Sequence, residues 1–306
     1  MADATASTRR ADTPGAAARR GPPAWLPLAA AAAAAAFFIA MDATAKGLTT
    51  RFDSWQITFL RFASGSLFAL PLWLWRRTPL PRGRAWRLHA ARSALLLLAL
   101  LTWFHSLSLL PLVQSVAVGY TAPIFISLLA IVLLHERPSR WIGVALALGA
   151  AGVAVSLAPE LGAAAGPGGA RRVEGLLSAA VSALAYSGVV ILARHQAQRD
   201  AIWTILLVQN LLPTLLLALP LAWRWQPMAA ADAGPVLLMG ALATAGLLCV
   251  TWAFMHIEAS RAAPLEYTGF VWAALLGYAL FGEVPTSATL MSAALIVAGC
   301  LLLLRR

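Results

Sequence analysis

Charged residues are scarce in this chain. Asp, Glu, Lys and Arg make up 11% of its 306 residues, hydrophobic residues make up 60%, and the mean hydropathy is +0.77. A soluble domain carries about 25% charged residues, so this composition excludes a soluble globular domain. A membrane-spanning helix needs about 20 predominantly apolar residues, and the chain has many such runs. We therefore expect an integral membrane protein.

Cysteine is almost absent as well. The two cysteines, Cys249 and Cys300, both lie inside apolar runs, where a free thiol behaves as a small hydrophobic side chain. Their number and spacing fit neither a disulfide framework nor a metal-binding cluster. We therefore expect two inert thiols, no metal ion and no cofactor.

The sequence also lacks the motifs of common catalytic sites. It contains no phosphate-binding loop GxxxxGK[ST], no zinc-protease motif HExxH and no GxSxG nucleophile turn. The run His135-Glu136-Arg137 belongs to a turn between two apolar segments. The missing loop excludes ATP hydrolysis by a P-loop, and we find no clustered nucleophile, acid pair or metal site of a membrane enzyme. We predict that the protein is not an enzyme.

Acidic residues are the scarcer charge, so the net charge is +11 and the isoelectric point about 11.2. Such a balance can indicate a nucleic-acid partner, but its distribution along the chain argues otherwise. With a cytoplasmic N-terminus, 17 of the 23 Lys and Arg residues fall on the cytoplasmic side, five on the other side, and Arg61 within an apolar run. Because cytoplasmic loops are enriched in Lys and Arg, we predict a plasma (cell inner) membrane protein with both termini in the cytoplasm and no nucleic-acid partner.

What the chain has in abundance is apolar runs, and they recur. Ser115–Leu157 returns as Ala262–Leu304 at a shift of 147, with 12 of 43 residue pairs identical. Trp55 and Trp203 continue the repeat at a shift of 148. The most specific matches are Tyr120-Thr121 with Tyr267-Thr268, and Glu136-Arg137-Pro138-Ser139 with Glu283-Val284-Pro285-Thr286. A repeated hydrophobic unit of this kind determines the architecture.

The runs predict an all-α integral membrane fold of ten transmembrane helices in two related sets of five. Because five is odd, the second set enters the membrane from the opposite side, which gives the inverted-topology repeat of many secondary transporters. We predict a disordered basic cytoplasmic tail over 1–23, a first five-span repeat over 24–157, a linker over 158–172 and a second repeat over 173–306. The predicted spans are Trp25–Ala45, Trp55–Trp75, Ala91–Leu110, Val113–Leu134, Trp141–Leu157, Val173–Ala193, Ile202–Trp223, Val236–Met255, Ala262–Phe281 and Thr286–Leu304.

These features resemble a known family. Ten spans in two halves, the Glu-x-Pro turns before spans 5 and 10, and the run LLGYALFGEVP are similar to the EamA family of the drug/metabolite transporter superfamily, over essentially residues 25–304. The stretches MDATAKGL, QITFLRF and PLEYTGFVWA resemble its branch of riboflavin and S-adenosylmethionine uptake proteins. The resemblance implies a basket of helices around a central cavity, lined by spans 1, 3, 4, 6, 8 and 9, with spans 5 and 10 at the periphery.

Ionisable residues inside the predicted spans are the first candidates for a functional site, because they are costly in a membrane. Asp42 and Lys46 share a helix face, so Asp42 either pairs with Lys46 or faces the cavity and binds substrate or a proton. Arg61 either pairs with Asp42 or Asp53 or holds a substrate carboxylate or phosphate, which suits a planar guanidinium. Glu266 is a gate contact, a proton site or a helix-end carboxylate.

Aromatic and imidazole side chains on the cavity-lining spans are the second group of candidates. They could stack on a planar substrate, or they could simply pack in the core. This group contains Trp103, His105, Tyr120, Tyr186, Trp252 and Tyr267. Two amides in span 7, Gln209 and Asn210, are expected to join helices by hydrogen bonds.

Small residues recur at four-residue spacing on the two peripheral spans. They are Gly143, Ala147 and Ala151 on span 5, with Ala294 and Ala298 on span 10. Such stripes let helices approach closely, either inside one chain or at a homodimer contact.

The favoured function is a secondary, non-ATP transporter of a small organic metabolite that works by alternating access between the two repeats in the lipid bilayer. The alternative is a non-transporting membrane scaffold or lipid-handling protein, for which we would expect a centre packed solid with Leu and Ala.

Overall fold

The computed structural model describes residues 23, 25–122, 169–257 and 268–303, together with positions 125, 126, 129, 144, 147, 148, 151, 152, 154 and 155. All regular elements among these residues are helical. The α-helices are α1 Trp25–Leu48, α2 Ser54–Arg76, α3 Arg84–Leu109, α4 Leu112–Gly119, α5 Gly169–Ala197, α6 Ile202–Ala222, α7 Ala233–His256, α8 Thr268–Phe281 and α9 Ser287–Leu303. A 3₁₀ turn, Ala230–Asp232, leads into α7.

Six of these helices are long and apolar enough to cross a membrane, namely α1, α2, α3, α5, α6 and α7 with its preceding turn. The protein is therefore a multi-pass membrane protein. Local signals bound the helices, as α2 shows. Asp53 precedes its first turn and accepts a hydrogen bond from the backbone nitrogen of Gln56 at 2.8 Å. Arg77 ends the helix in the left-handed conformation, with φ of 49°.

Predicted spans 1, 2, 3, 6, 7 and 8 each correspond to one described helix. The predicted span 4 differs in its first part, because α4 ends at Gly119 and a turn follows at Tyr120 and Thr121. Most of the remainder of span 4, most of span 5 and the start of span 9 lie outside the described residues. Helix α5 begins at Gly169, inside the predicted linker.

Hydrogen bonds at the helix ends show the relative directions of α2 and α6. The start of α2 lies beside the end of α6, where Gln56 Nε2 donates to the carbonyl of Gln226 at 2.8 Å. The end of α2 lies beside the start of α6, where Thr204 donates to the carbonyl of Pro79 at 3.0 Å. The two helices, which occupy the same position in the two halves, are therefore antiparallel.

Helices α1 and α5, a second corresponding pair, are also inverted. At one end of the bundle, the end of α1 meets the start of α7 through an ion pair between Arg51 and Asp232. At the other end, Gln198 after α5 donates to the carbonyl of Phe254 near the end of α7. Because α1 is antiparallel to α7 and α5 is parallel to it, α1 and α5 run in opposite directions. We call these two ends of the bundle the Lys46 end and the Arg92 end.

Small residues allow the two halves to pack closely. A Cβ atom added at Gly240 of α7 would overlap the backbone of Ser64 in α2, and one added at Gly65 would overlap the side-chain amide of Asn210 in α6. Large buried side chains fill the space towards the Lys46 end, including Phe104 and Met239. This buried cluster thus contains residues of both halves.

Proline occurs inside two of the long helices. Pro71 lies near the end of α2, and Pro220 lies near the end of α6, with a second proline, Pro213, at mid-helix. Pro71 and Pro220 occupy the same repeat position, since Ala69-Leu70-Pro71-Leu72 matches Ala218-Leu219-Pro220-Leu221.

Candidate functional site

A cavity of about 230 Å³ lies between the two halves. Its walls come from α1 and α3 of the first half, from α5 and α7 of the second, and from α4, while α2 and α6 contribute one polar side chain each. Most of the lining is apolar, such as Ala34, Leu96 and Val250. The polar exceptions are Asp42, Arg61, Arg92, Ser182 and Gln209, and the aromatic ones are Phe38, Trp103, Tyr120, Tyr186 and Phe254.

Corresponding positions of α1 and α5 build opposite walls of this cavity. Residues of α1 recur in the lining 148 residues further along the chain, as Phe38 does with Tyr186 and Asp42 with Val190. The same relation holds for Ala34 with Ser182, Ala35 with Ala183 and Met41 with Val189. The inverted repeat therefore encloses the cavity between equivalent helix faces.

Asp42 lies near the Lys46 end of the cavity and is buried, with 6% of its surface exposed. Its Oδ1 accepts a hydrogen bond from the indole nitrogen of Trp103 at 2.9 Å. Of the two alternatives predicted for Asp42, the structure therefore agrees with the one in which it faces the cavity and not with pairing to Lys46. Although both residues lie on α1, Lys46 extends away from the cavity to a different carboxylate, which leaves Asp42 facing the cavity.

Lys46 connects several segments at its end of the bundle. Its Nζ lies 3.2 Å from Oε1 of Glu283, and it donates to the carbonyls of Leu107 and Leu110 at 3.2 and 2.5 Å. Oε2 of the same glutamate accepts the backbone N–H of Leu112 at 2.8 Å. This lysine–glutamate contact joins α1 to the α3–α4 turn and to the segment after α8. Sequence reasoning found Glu283 in the repeated turn but missed its partner.

Arg61 is the second buried charge, with 4% exposed. Its Nη1 donates to Oδ1 of Asn210 in α6 at 3.0 Å, and Arg61 lines the same cavity as Asp42. Of the two residues predicted as possible pairing partners of Arg61, Asp42 lines the same cavity, whereas Asp53 caps α2. The Nε atom of Arg61 has no hydrogen-bond partner among the described residues.

Arg92 lines the cavity but was not among the predicted site residues, because the sequence analysis assigned it to a cytoplasmic loop. It is 5% exposed and lines the cavity at the end opposite to Asp42. Its Nη1 donates to Oε1 of Gln196 at 2.7 Å. The available signal was helical spacing, since Arg92, Leu96, Ala99 and Trp103 fall on one face of α3 and all line the cavity.

Three of the predicted aromatic residues also line the cavity: Trp103, Tyr120 and Tyr186. Trp103 approaches α4 so closely that a Cβ atom at Gly119 would lie 3.1 Å from its ring. The ring of Tyr120 lies 6.3 Å from that of Phe270, measured between centroids. Together with the two buried arginines and Asp42, these rings offer a planar ligand both stacking surfaces and charged hydrogen-bonding groups.

The remaining predicted site residues are not in this lining. His105 lies at the Lys46 end, half exposed, with Nε2 2.8 Å from Oε1 of Glu174. Trp252 packs against His256, with ring centroids 4.3 Å apart, and is absent from the cavity wall. Glu266 and Tyr267 lie outside the described residues.

Within the described part of the chain, no group of three or more His, Cys, Asp or Glu side chains could hold a metal ion. Cys249 is a free thiol of intermediate exposure, and the side chain of Cys300 is outside the described set.

The chain was compared with known families and proteins. Residues 24–158 and 173–305 each match the EamA-like transporter family. The matched ranges together cover well over half of the chain, and they repeat the domain twice.

Curated relatives are named as transporters. The chain is 24% identical over 269 residues to the S-adenosylmethionine uptake transporter of Rickettsia felis, covering 87% of each chain. It is 27% identical to the pseudopaline exporter of Pseudomonas aeruginosa, covering 88% of this chain and 92% of the exporter. It is also 27% identical to the riboflavin transporter of Rhizobium johnstonii, covering 88% of this chain and 87% of that transporter.

A solved structure described only as the crystal structure of a protein has the same fold. The two superpose with a TM-score of 0.62 over 90% of this chain and 96% of that chain, at 21% sequence identity.

Proposed function

The chain belongs to the EamA-like transporter family, and on that premise we propose that it is a secondary transporter which moves a small organic metabolite across the membrane without ATP. In this proposal the ligand binds in the cavity between the inverted halves. Rocking of one half against the other then exposes the ligand alternately to each side.

The observation that carries the proposal is the cavity with its buried ionisable groups. Asp42, Arg61 and Arg92 are all buried in helices long and apolar enough to span a membrane, and they line one space between the halves. Charged groups in such a place are costly, and they usually mark a substrate or ion pathway. The alternative of a scaffold or lipid-handling protein predicts a solid apolar centre, so the charged cavity favours transport.

We propose a cell inner membrane location with both termini in the cytoplasm. The Arg92 end of the bundle would then face the cytoplasm and the Lys46 end the other side. Single cysteines in place of Arg82, before α3, and Arg171, in α5, test this in a variant that lacks Cys249 and Cys300. A membrane-impermeant thiol reagent applied to intact cells should label only the cysteine at 171, and labelling of both from one side would refute the inverted topology.

The relatives are named for uptake of S-adenosylmethionine, export of pseudopaline and transport of riboflavin, so we propose a polar organic metabolite as cargo. A thermal-shift screen of the purified protein against amino acids, nucleosides, flavins and S-adenosylmethionine should identify it. Saturable flux of the hit into proteoliposomes would support the proposal. A protein that neither binds nor moves any of these compounds would favour the scaffold. Equal flux with and without a pH gradient would exclude proton coupling through Asp42 or Glu266.

A homodimer stays a prediction. Ala147 and Ala151, and Ala294 and Ala298, are exposed on the described surface, so these stripes do not close a contact inside the described part of the chain. Gly143 lies outside the described residues. The mass of the purified protein in detergent, measured by light scattering, will distinguish a dimer from a monomer.

A further inference from the structure

Two hydrogen-bond donors without acceptors lie at the Arg92 end of the bundle, one on the cavity residue Arg92 and one on its hydrogen-bond partner Gln196, which is not itself in the cavity lining. The Nε atom of Arg92 and the Nε2 atom of Gln196 are both buried and have no hydrogen-bond partner among the described residues. The residues themselves are 5% and 1% exposed. A buried donor without an acceptor is rare, because burial removes the water that would otherwise satisfy it.

The arrangement of Arg92 and Gln196 favours a ligand group that accepts hydrogen bonds. Arginine has donors only, so the amide of Gln196 must turn its oxygen towards Arg92, as the 2.7 Å bond from Nη1 to Oε1 shows. That bond uses the carbonyl oxygen of the amide and leaves its NH₂ group facing elsewhere. The pair therefore keeps unused donors and a positive charge, with Arg92 in the cavity lining and Gln196 beside it.

The charge of Arg92, like that of Arg61, meets only a neutral amide in the hydrogen bonds of the described residues. At the same end of the bundle, the carboxylate of Asp200 lies 3.2 Å from Nε2 of His89. Among the described residues, no carboxylate is paired with Arg92. An anionic group from outside the chain would supply both the missing charge and the missing acceptors.

We propose that the cavity binds a small organic molecule through a carboxylate or phosphate group, whose oxygens accept hydrogen bonds from Arg92 and Gln196. The proposal rests on the transporter function proposed above and assigns the chemical class of the cargo. Arg92 and Trp103 are separated by 11 residues on α3, or about 16 Å of helix, so the rest of the molecule extends through the apolar part of the cavity towards Trp103 and Asp42.

Two pairs of compounds, each differing in one oxyanion, test the proposal. S-adenosylmethionine is compared with its decarboxylated form, and riboflavin 5′-phosphate with riboflavin. Equilibrium binding to the purified full chain is measured at 0.15 M salt, which screens attraction to the exposed positive charge. In at least one pair, the oxyanion-bearing member should bind at least roughly tenfold more tightly. The first pair tests a carboxylate and the second a phosphate.

Three variants locate the effect. Arg92→Gln should weaken binding of the preferred member by roughly 30-fold or more and remove the difference within the pair. Gln196→Leu keeps the positive charge and should weaken binding by roughly fivefold or more. Arg87→Gln is the matched control, because Arg87 lies on the same helix but is exposed, and it should bind as the unaltered chain does.

The outcomes separate this proposal from transport itself. If Arg92→Gln does not fold, which the melting temperature of the unliganded protein will show, Arg92→Lys and Gln196→Leu replace it as the test. Equal binding within both pairs, binding that Arg92→Gln and Gln196→Leu leave unchanged, or no binding of any of the four compounds would overturn the anion site. Flux of a ligand that has no oxyanion would also overturn the anion site, but it would leave the transporter function intact.

Discussion

The two halves of the molecule have the same helices but different chemistry. At a shift of 148 residues, Asp42 corresponds to Val190, Arg61 to Gln209 and Arg92 to Gly240. All three described charges of the cavity therefore come from the first half, whereas the second half presents apolar, neutral or absent side chains at the same places.

This difference distinguishes the residues that the fold requires from those that a ligand site requires. The fold depends on helix faces and close packing, which both halves preserve, as Phe38 and Tyr186 on opposite walls of the cavity illustrate. In the proposed transporter, ligand recognition would depend on a few charged groups, for which a single copy of each is enough. Duplicated charges would place more uncompensated ions at membrane depth, where each one is costly.

The largest effect should come from making the first half resemble the second at Asp42. Asp42→Val removes the carboxylate, leaves the indole N–H of Trp103 without its acceptor and leaves Arg61 without its opposing charge. We expect the flux of the cargo into proteoliposomes to fall by roughly 100-fold, because breaking a buried charge arrangement is strongly unfavourable. The control is Val190→Ala at the equivalent position, which should change flux less than about threefold. Similar effects at both positions would contradict a one-sided site.

Arg61 offers the next test. Arg61→Gln copies its counterpart Gln209 and removes both the positive charge and the bond to Asn210. We expect roughly tenfold lower flux and a free energy of unfolding lower by about 2 kcal/mol, the typical contribution of a hydrogen bond to a charged group. Asn210→Leu removes the bond but keeps the charge. If it lowers flux as much as Arg61→Gln does, the role of Arg61 is to hold the helices together rather than to face the ligand.

The contact between the halves can be tested without touching the cavity. Gly240→Ala adds a methyl group against the backbone of Ser64, whereas the same change at Gly234 of α7 meets nothing within 4 Å. The first variant should lower the free energy of unfolding by about 1–3 kcal/mol, because overpacking forces a helix to move. Gly234→Ala should be close to neutral in the same denaturation experiment, and equal losses would show that the α2–α7 contact is loose.

The smallest effect is expected at the Lys46 end. A double-mutant cycle with Lys46→Met and Glu283→Gln should give a coupling of about 1–2 kcal/mol, because both side chains are largely buried. The comparison cycle uses Arg51 and Asp232, where the arginine is 46% exposed, and should give less than about 1 kcal/mol. A coupling free energy near zero for Lys46 and Glu283 would show that their contact does not stabilise the Lys46 end of the bundle.

Much of the architecture could be predicted from the sequence, because hydrophobic run length and repeat spacing follow from the thickness of the membrane. The described helices α1, α2, α3, α5, α6 and α7 each fall on a predicted span. The interruption after α4 was not predicted, since Gly119 and Tyr120 lie inside a continuous apolar run.

The site was harder to predict, because partners depend on rotation between helices that are distant in sequence. Asp42, Arg61, Trp103, Tyr120 and Tyr186 do line the cavity, since apolar surroundings made them stand out. Lys46 turned to Glu283, 237 residues away, instead of to its neighbour on α1. Arg92 was overlooked because the rule that assigns Lys and Arg to cytoplasmic loops takes no account of an arginine that points into the bundle.

The prolines of α2 and α6 have a mechanical consequence. A proline within a helix removes one backbone hydrogen bond and lowers the local stiffness. Pro71 and Pro220 occupy one repeat position, but their helices are antiparallel, so the weak points lie near opposite faces of the membrane. In the proposed alternating-access mechanism, each face would then have one helix weakened near its end, α2 at one face and α6 at the other.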